Sequence, residues 1–185
     1  MRQYICEHDT PVGEIVLFTD GEALTGAYLE GKKHFCGLAG NILKDSGKHP
    51  VLERAKNWLS AYFAGEKPEI GELQLNPEGS DFRLEVWQSL QNIPYGKLIS
   101  YGDIAREIAI RKGLARMSAQ AVGGAVGHNP LAIIIPCHRV IGHNGNLTGY
   151  GGGISIKIWL LRHEGIDVSR LSMPKNKAFK GKSHR

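Results

Sequence analysis

The chain has 185 residues, 42% hydrophobic and 22% charged, which suits one large or two small domains and allows a buried core. No apolar run approaches the roughly 20 residues that span a bilayer, and residues 1–8 hold no signal-peptide core, so no membrane partner and a reducing cytoplasm are expected, nucleoid-associated or nuclear by organism. The net charge is +5, but from Arg170 onward there are six Lys or Arg and no acid, leaving 17 basic against 18 acidic residues before it, so the charge says little about what the body binds.

Ile15-Val16-Leu17-Phe18-Thr19 is a β-branched apolar run, Asp20-Gly21 is a turn signal and 23–29 returns, which predicts an antiparallel hairpin. Residues 50–63 place Val51, Leu52, Ala55, Trp58, Leu59 and Tyr62 at helical spacing, and Gly65 ends the helix. The three cysteines, Cys6, Cys36 and Cys137, are too few and too far apart for a disulfide framework and permit a free reactive thiol. Cys6, His8, His34 and Cys36 lack the compact CxxC spacing of a zinc site, and no metal or cofactor is expected.

The polar, Pro/Gly-marked stretch 73–80 reads as a domain boundary, giving residues 1–76, residues 80–170 and a basic flexible tail, 171–185. Ser80 or Asp81 caps a helix with Phe82, Leu84, Val86, Trp87, Ser89 and Leu90 facing inward, stopped by Ile93-Pro94-Tyr95-Gly96. Ser100 and Asp103 make a capping box for a helix to Ile110, and another helix opens at Ser118 and runs to Val126. This pair reads either as a helix-turn-helix or as ordinary helix packing. Glycines inside the second helix cost about 1 kcal/mol each against alanine, so some surface, a DNA groove or a neighbouring helix, must come close. Lys97, Arg106, Arg111, Lys112 and Arg116 suit phosphate contacts or a solvated face equally.

Ile133-Ile134-Ile135-Pro136-Cys137-His138-Arg139-Val140-Ile141 delivers a cysteine beside a histidine where Pro136 ends a strand. In extended backbone Cys137 and His138 point to opposite faces, so a base at His138 works through a water. Such a histidine needs a third group to fix its tautomer, and the candidate is Glu164, after a helix running 154–163 and before the C-cap Gly165. A lone carboxylate there is otherwise a surface residue. The glycines of 149–153 lack phosphate-loop order and suit a wall around a flat ligand.

Pro136-Cys137-His138-Arg139-Val140, Gly145-Asn146-Leu147-Thr148-Gly149-Tyr150-Gly151-Gly152-Gly153 and Lys157-Ile158-Trp159-Leu160-Leu161-Arg162-His163-Glu164-Gly165 resemble the O6-alkylguanine-DNA alkyltransferases, and the likeness runs from Phe82 to Gly165. It implies an α+β fold, with a small RNase H-like N-terminal domain of β-sheet and helix and a mainly helical C-terminal domain carrying a helix-turn-helix. It implies irreversible, single-turnover transfer of the alkyl group of O6-alkylguanine, and of O4-alkylthymine, from double-stranded DNA by a monomer. In those roles Cys137 is the acceptor, His138 the base, Glu164 its orienting group, Asn129 the support of the cysteine segment and Tyr101 the proton donor. Val140, Tyr150 and Gly151 line the base pocket, and Arg116, Gln120, Ala121, Gly123 and Arg139 meet DNA. Relatives carry an arginine where this chain has Gln120, the side chain that fills the gap left by the extruded base. Two other readings use the same residues: a thiol hydrolase with turnover, and a DNA-binding alkylation sensor or regulator with weak transfer.

Overall fold

The computed structural model describes residues 2–29, 41–44 and 49–173. His34, Cys36 and the basic tail from residue 174 lie outside the described residues. Among those described, no helix is long and apolar enough to cross a membrane.

Strands β1 (Arg2–Thr10), β2 (Gly13–Thr19) and β3 (Leu24–Leu29) form an antiparallel meander, and β4 (Asn41–Lys44) joins β1 in parallel, giving the order β3-β2-β1-β4. The expected hairpin is β2–β3. Asp20 closes its turn by accepting the Glu22 and Ala23 N–H groups at 2.9 and 2.8 Å. Strand β1 escapes sequence reading because its residues are mostly polar; pairing on both edges makes it a strand.

Helix α1 (Pro50–Ala64) packs against β1, β2 and β3 with all six expected residues buried, facing Ile15, Leu17 and Leu29. Full burial of each aliphatic side chain in this interface contributes roughly 1.5–3 kcal/mol. Gly65 ends the helix at φ 83°, its N–H reaching the carbonyls of Ala61 and Tyr62.

The second half is mainly helical: α2 (Asp81–Gln91), α3 (Tyr101–Arg111), α4 (Ala119–Gly127) and α5 (Ile154–His163), with a two-stranded parallel pair β5 (Ile99–Ser100) and β6 (Val140–Ile141). The Ser100–Asp103 capping box is present. Trp87 of α2 is buried against α4 and donates Nε1–H to the Ala125 carbonyl at 2.9 Å. Leu84, expected inward, is exposed, because two residues is about 200° around a helix from Val86.

The polar break between the halves is anchored. The Leu24 N–H donates to Gln74 O and Asn76 N–H to Leu24 O, while Ala27 exchanges bonds with Pro130 O and Ala132 N–H at 2.8 and 2.9 Å. Segments 74–76 and 130–132 thus close the otherwise open edge of β3, and one core runs from the sheet to α5. The sheet edge and the cysteine-bearing segment are therefore tied by backbone.

Candidate active site and DNA-facing surface

The isoleucine run is not a strand. Ile133 takes φ +70°, and the N–H groups of Ile134 and Ile135 turn back to Ala132 O and Leu131 O. A β-branched residue in that region costs of order 1–3 kcal/mol. The bracket that holds it is Asn129, whose Nδ2 donates to Ile135 O at 2.8 Å and to Leu131 O at 3.3 Å while Oδ1 accepts the Leu131 N–H. Burial of all three isoleucines offsets the rest.

Cys137, His138 and Arg139 then form a single 3₁₀ turn behind Pro136. This replaces the extended geometry expected from sequence: Cys137 and His138 sit about 120° apart on a tight turn, not on opposite faces of a strand. Cys137 is 7% exposed and His138 wholly buried.

Glu164, just past the end of α5, is the hub. Its Oε1 accepts His138 Nε2 at 2.6 Å and the Tyr62 hydroxyl at 2.8 Å; its Oε2 accepts the Gly96 N–H at 3.0 Å; and Arg139 spans both oxygens. Burial alone would raise this carboxyl, but the bonds from His138 and Arg139 outweigh it and hold it at about 2. Burial also dominates at His138 and, against the pull of Glu164, lowers it, so the ring is neutral at pH 7. With Nε2–H donating to a carboxylate, the lone pair is on Nδ1, which is buried and makes no hydrogen bond among the described residues. That nitrogen is free to take a proton.

Gly96 is required here. It sits at φ +69°, and a Cβ would come within 2.9 Å of the Glu164 carbonyl. Gly152 is constrained less strictly, since a Cβ would come within 2.6 Å of the Leu29 side chain on β3, which would have to shift.

Arg139 is a correction. Expected on the DNA, it is 6% exposed, paired with Glu164 and donating Nη1–H to Ile93 O at 2.6 Å. A guanidinium committed to a buried carboxylate and carbonyl does not reach phosphate.

Around the sulfur, Tyr101 accepts a hydrogen bond from Thr148 Oγ1 at 2.9 Å, leaving its own O–H available. Burial raises the Tyr101 phenol and the Thr148 bond opposes this. The Tyr150 hydroxyl is buried and makes no hydrogen bond among the described residues, and burial raises it well above the usual phenol range. Val140 N–H donates to Cys137 O, and its carbonyl accepts from Lys157 Nζ at 2.5 Å. Lys157 is wholly buried; burial lowers its ammonium to about 8, and negative charge on Cys137 favours the protonated form. Gly151 is exposed at the rim.

Tyr62, Gly96, Thr148 and Lys157 were not singled out by sequence. Tyr62 reads as one more inward helix residue and Gly96 as a helix stop; Lys157 and Thr148 lie inside the motifs without a visible partner.

Outward, α4 presents Gln120 and Ala121, both exposed, and a Cβ at Gly123 would lie 3.7 Å from the Tyr101 ring, an ordinary contact. A Cβ at Gly124 meets no atom of the described residues within 4 Å, so their packing does not explain that glycine. Arg116 is exposed in the loop before α4.

Comparison with known proteins gives consistent matches. Residues 81–166 match the family described as 6-O-methylguanine DNA methyltransferase, DNA binding domain. A methylated-DNA–protein-cysteine methyltransferase of Methanosarcina acetivorans is 41% identical, over 88% of this chain and 98% of that one; one of Haemophilus influenzae is 37% identical, over 88% and 87%. The crystal structure of Mycobacterium tuberculosis OGT in complex with DNA superposes with a TM-score of 0.75 at 40% identity, covering 92% of this chain and 95% of that one.

Proposed function

The chain belongs to the methylated-DNA–protein-cysteine methyltransferase family, and on that premise we propose which of its residues carry the reaction and on what substrate. It is a DNA-repair transferase that moves an alkyl group from DNA onto its own cysteine. A thioether has no easy route back to a thiol, so each molecule acts once.

The acceptor is Cys137 and the substrate is O6-alkylguanine in double-stranded DNA, with O4-alkylthymine presenting the same alkoxy group. The observation that carries this is the buried Cys137–His138–Glu164 constellation, in which the imidazole has one nitrogen fixed by a carboxylate and the other unengaged. A free thiol has a pKa near 8.5 and is only a few per cent ionised at neutral pH. His138 Nδ1 takes the thiol proton through water, Glu164 stabilises the imidazolium, and the Lys157 ammonium favours the thiolate. The sulfur attacks the alkyl carbon in line; the S–C bond forms as the C–O6 bond breaks, and the electron pair goes to the purine. Tyr101 supplies the proton that makes guanine a neutral leaving group. Asn129 keeps the cysteine segment in its turn, and the backbone of Val140 and Gly151 with the Tyr150 ring walls the base.

The target atom lies inside the duplex, so the nucleotide is rotated out at a cost of a few kcal/mol. The bare glycine surface of α4 suits a groove, Arg116 a phosphate, and Gln120 the vacated stack, which it fills without charge. The residues that meet DNA and accept the alkyl group lie in 80–170, and the chain acts as a monomer in the compartment that holds the DNA.

The test is intact mass after incubation with duplex DNA carrying O6-methylguanine. One methyl per chain mapped to Cys137, and none on Cys137→Ser, supports the reading. DNA binding with no gain in mass points to a sensor, for which Gln120 is the supporting residue, and repeated turnover on esters or peptides points to a thiol hydrolase.

A further inference from the structure

Tyr62 lies in the last turn of α1, in the first half of the chain, yet its hydroxyl reaches the carboxylate that orients His138. The ring is 1% exposed. It stacks on Trp58 at 5.8 Å, meets Phe63, Tyr95 and His163 at its edges, and stands 6.5 Å from the His138 ring. Its backbone carbonyl bonds to His163 Nε2 at 2.8 Å, so both ring and main chain are held. Packing alone does not call for a tyrosine. A phenylalanine fills the same space without a buried hydroxyl, which costs about 1–3 kcal/mol when unpaired. Here the hydroxyl goes to Oε1, the oxygen that faces the imidazole and also accepts from Arg139 Nη2, while Oε2 accepts from Gly96 and Arg139 Nε.

We propose that Tyr62 is a positioning residue for alkyl transfer: it fixes the Glu164 oxygen that holds His138 and shares that oxygen's charge, so that the imidazole is oriented without binding its proton too tightly. It touches no reacting atom. The proposal rests on His138 being the base of the transferase reaction, and it makes the N-terminal half part of the site.

Among the described residues, the charged and titratable groups around Glu164 are His138 and Arg139 from the 3₁₀ turn, Tyr62 from α1, Tyr95 from the loop after α2, Tyr150 from the loop before α5 and His163 from α5, with Lys157 acting on His138. Removing Arg139 or His138 strands a charge or deletes the base; removing the Tyr62 hydroxyl does neither. Without it, Oε1 carries more charge and holds the Nε2 proton more strongly. The imidazolium is then favoured and the neutral base appears only at higher pH.

The experiment is single-turnover methyl transfer to the full chain across pH. Tyr62→Phe should move the acid limb upward, with a rate about 3- to 10-fold below wild type on the steep acid side of the limb, a gap that closes as pH rises, the span of about half to one unit in the imidazole's proton affinity. 3-Fluorotyrosine at position 62, a stronger donor, should move the limb the other way. Tyr95→Phe, which loses a bond to the His163 carbonyl instead, should leave it in place. A Tyr62→Phe protein with the wild-type limb, whether its rates are unchanged or uniformly lower, overturns the proposal, as does an equal shift in Tyr95→Phe. Should Tyr62→Phe not fold, the fluorotyrosine protein decides, and an unmoved limb overturns it. Failure of the wild type to gain a methyl on Cys137 would instead sink the transferase reading.

Discussion

The Glu164 cluster and the outer face of α4 are built on opposite rules. At Glu164, donors from α1, the Gly96 loop and the 3₁₀ turn converge on two oxygens, and the carboxylate is buried. On α4, Gly124 faces open space and Gln120 and Ala121 are exposed. The difference teaches where each kind of order comes from: the groups proposed to move protons are over-determined by the protein, while the surface proposed to receive DNA leaves its contacts for a partner to make.

The largest expected effect comes from emptying the hub. Glu164→Ala leaves Arg139 buried without its carboxylate, which costs about 3–5 kcal/mol, and frees His138 to rotate. Denaturant unfolding should show that loss, and methyl transfer should become undetectable on the wild-type time scale. A stable, active Glu164→Ala would mean the cluster is not over-determined.

Acid should unmake the same cluster without mutation. Glu164 is held at about 2 against 4.5 for the free side chain, so its contribution is complete above about pH 4.5 and is lost as pH falls toward 2, about 3 kcal/mol in all. His138 acts in the same direction. Its pKa is lowered by burial, so below about pH 6.5 the unfolded chain takes the proton first and stability declines. Unfolding free energies measured from pH 7 to pH 3 should fall throughout; a flat profile would contradict the buried pairing.

The α4 side of the comparison is tested by filling space. Gly124→Ala should stabilise the protein by up to about 1 kcal/mol, since a helix interior prefers alanine and no protein atom is in the way. The same methyl should weaken duplex binding and slow transfer. Greater stability with undiminished repair would return that glycine to ordinary helix chemistry.

The smallest effect is expected from Gln120→Arg. An added cation at an exposed position in the first turn of α4 should quicken single-turnover repair of duplex DNA a few-fold and leave single-stranded substrate nearly unchanged, with little effect on stability. A slower variant would show that glutamine is the better wedge here.

Much of the helical framework can be read along the chain. The apolar spacing of 51–62, the Ser100–Asp103 box and Gly65 and Gly165 place α1, α3 and the ends of α1 and α5, because periodicity and capping are local. Strand β1 cannot be read that way, as its identity comes from neighbours on both edges. Nor can the 133–135 turn, where three isoleucines that favour extended backbone are overruled by the Asn129 bracket. Leu84 fails for a smaller reason, a broad inner face drawn one position too wide.

By itself the amino-acid order singled out the candidate cysteine, its adjacent histidine and the carboxylate that could serve them, because those residue types in those motifs carry their chemistry wherever the chain goes. Only the folded molecule decided that Arg139 turns inward to Glu164 rather than outward to DNA, that His138 keeps Nδ1 unengaged, and that Tyr62 of the first half completes the hub. Those outcomes depend on contacts between residues as many as 102 positions apart, and such distances close only when the whole core packs.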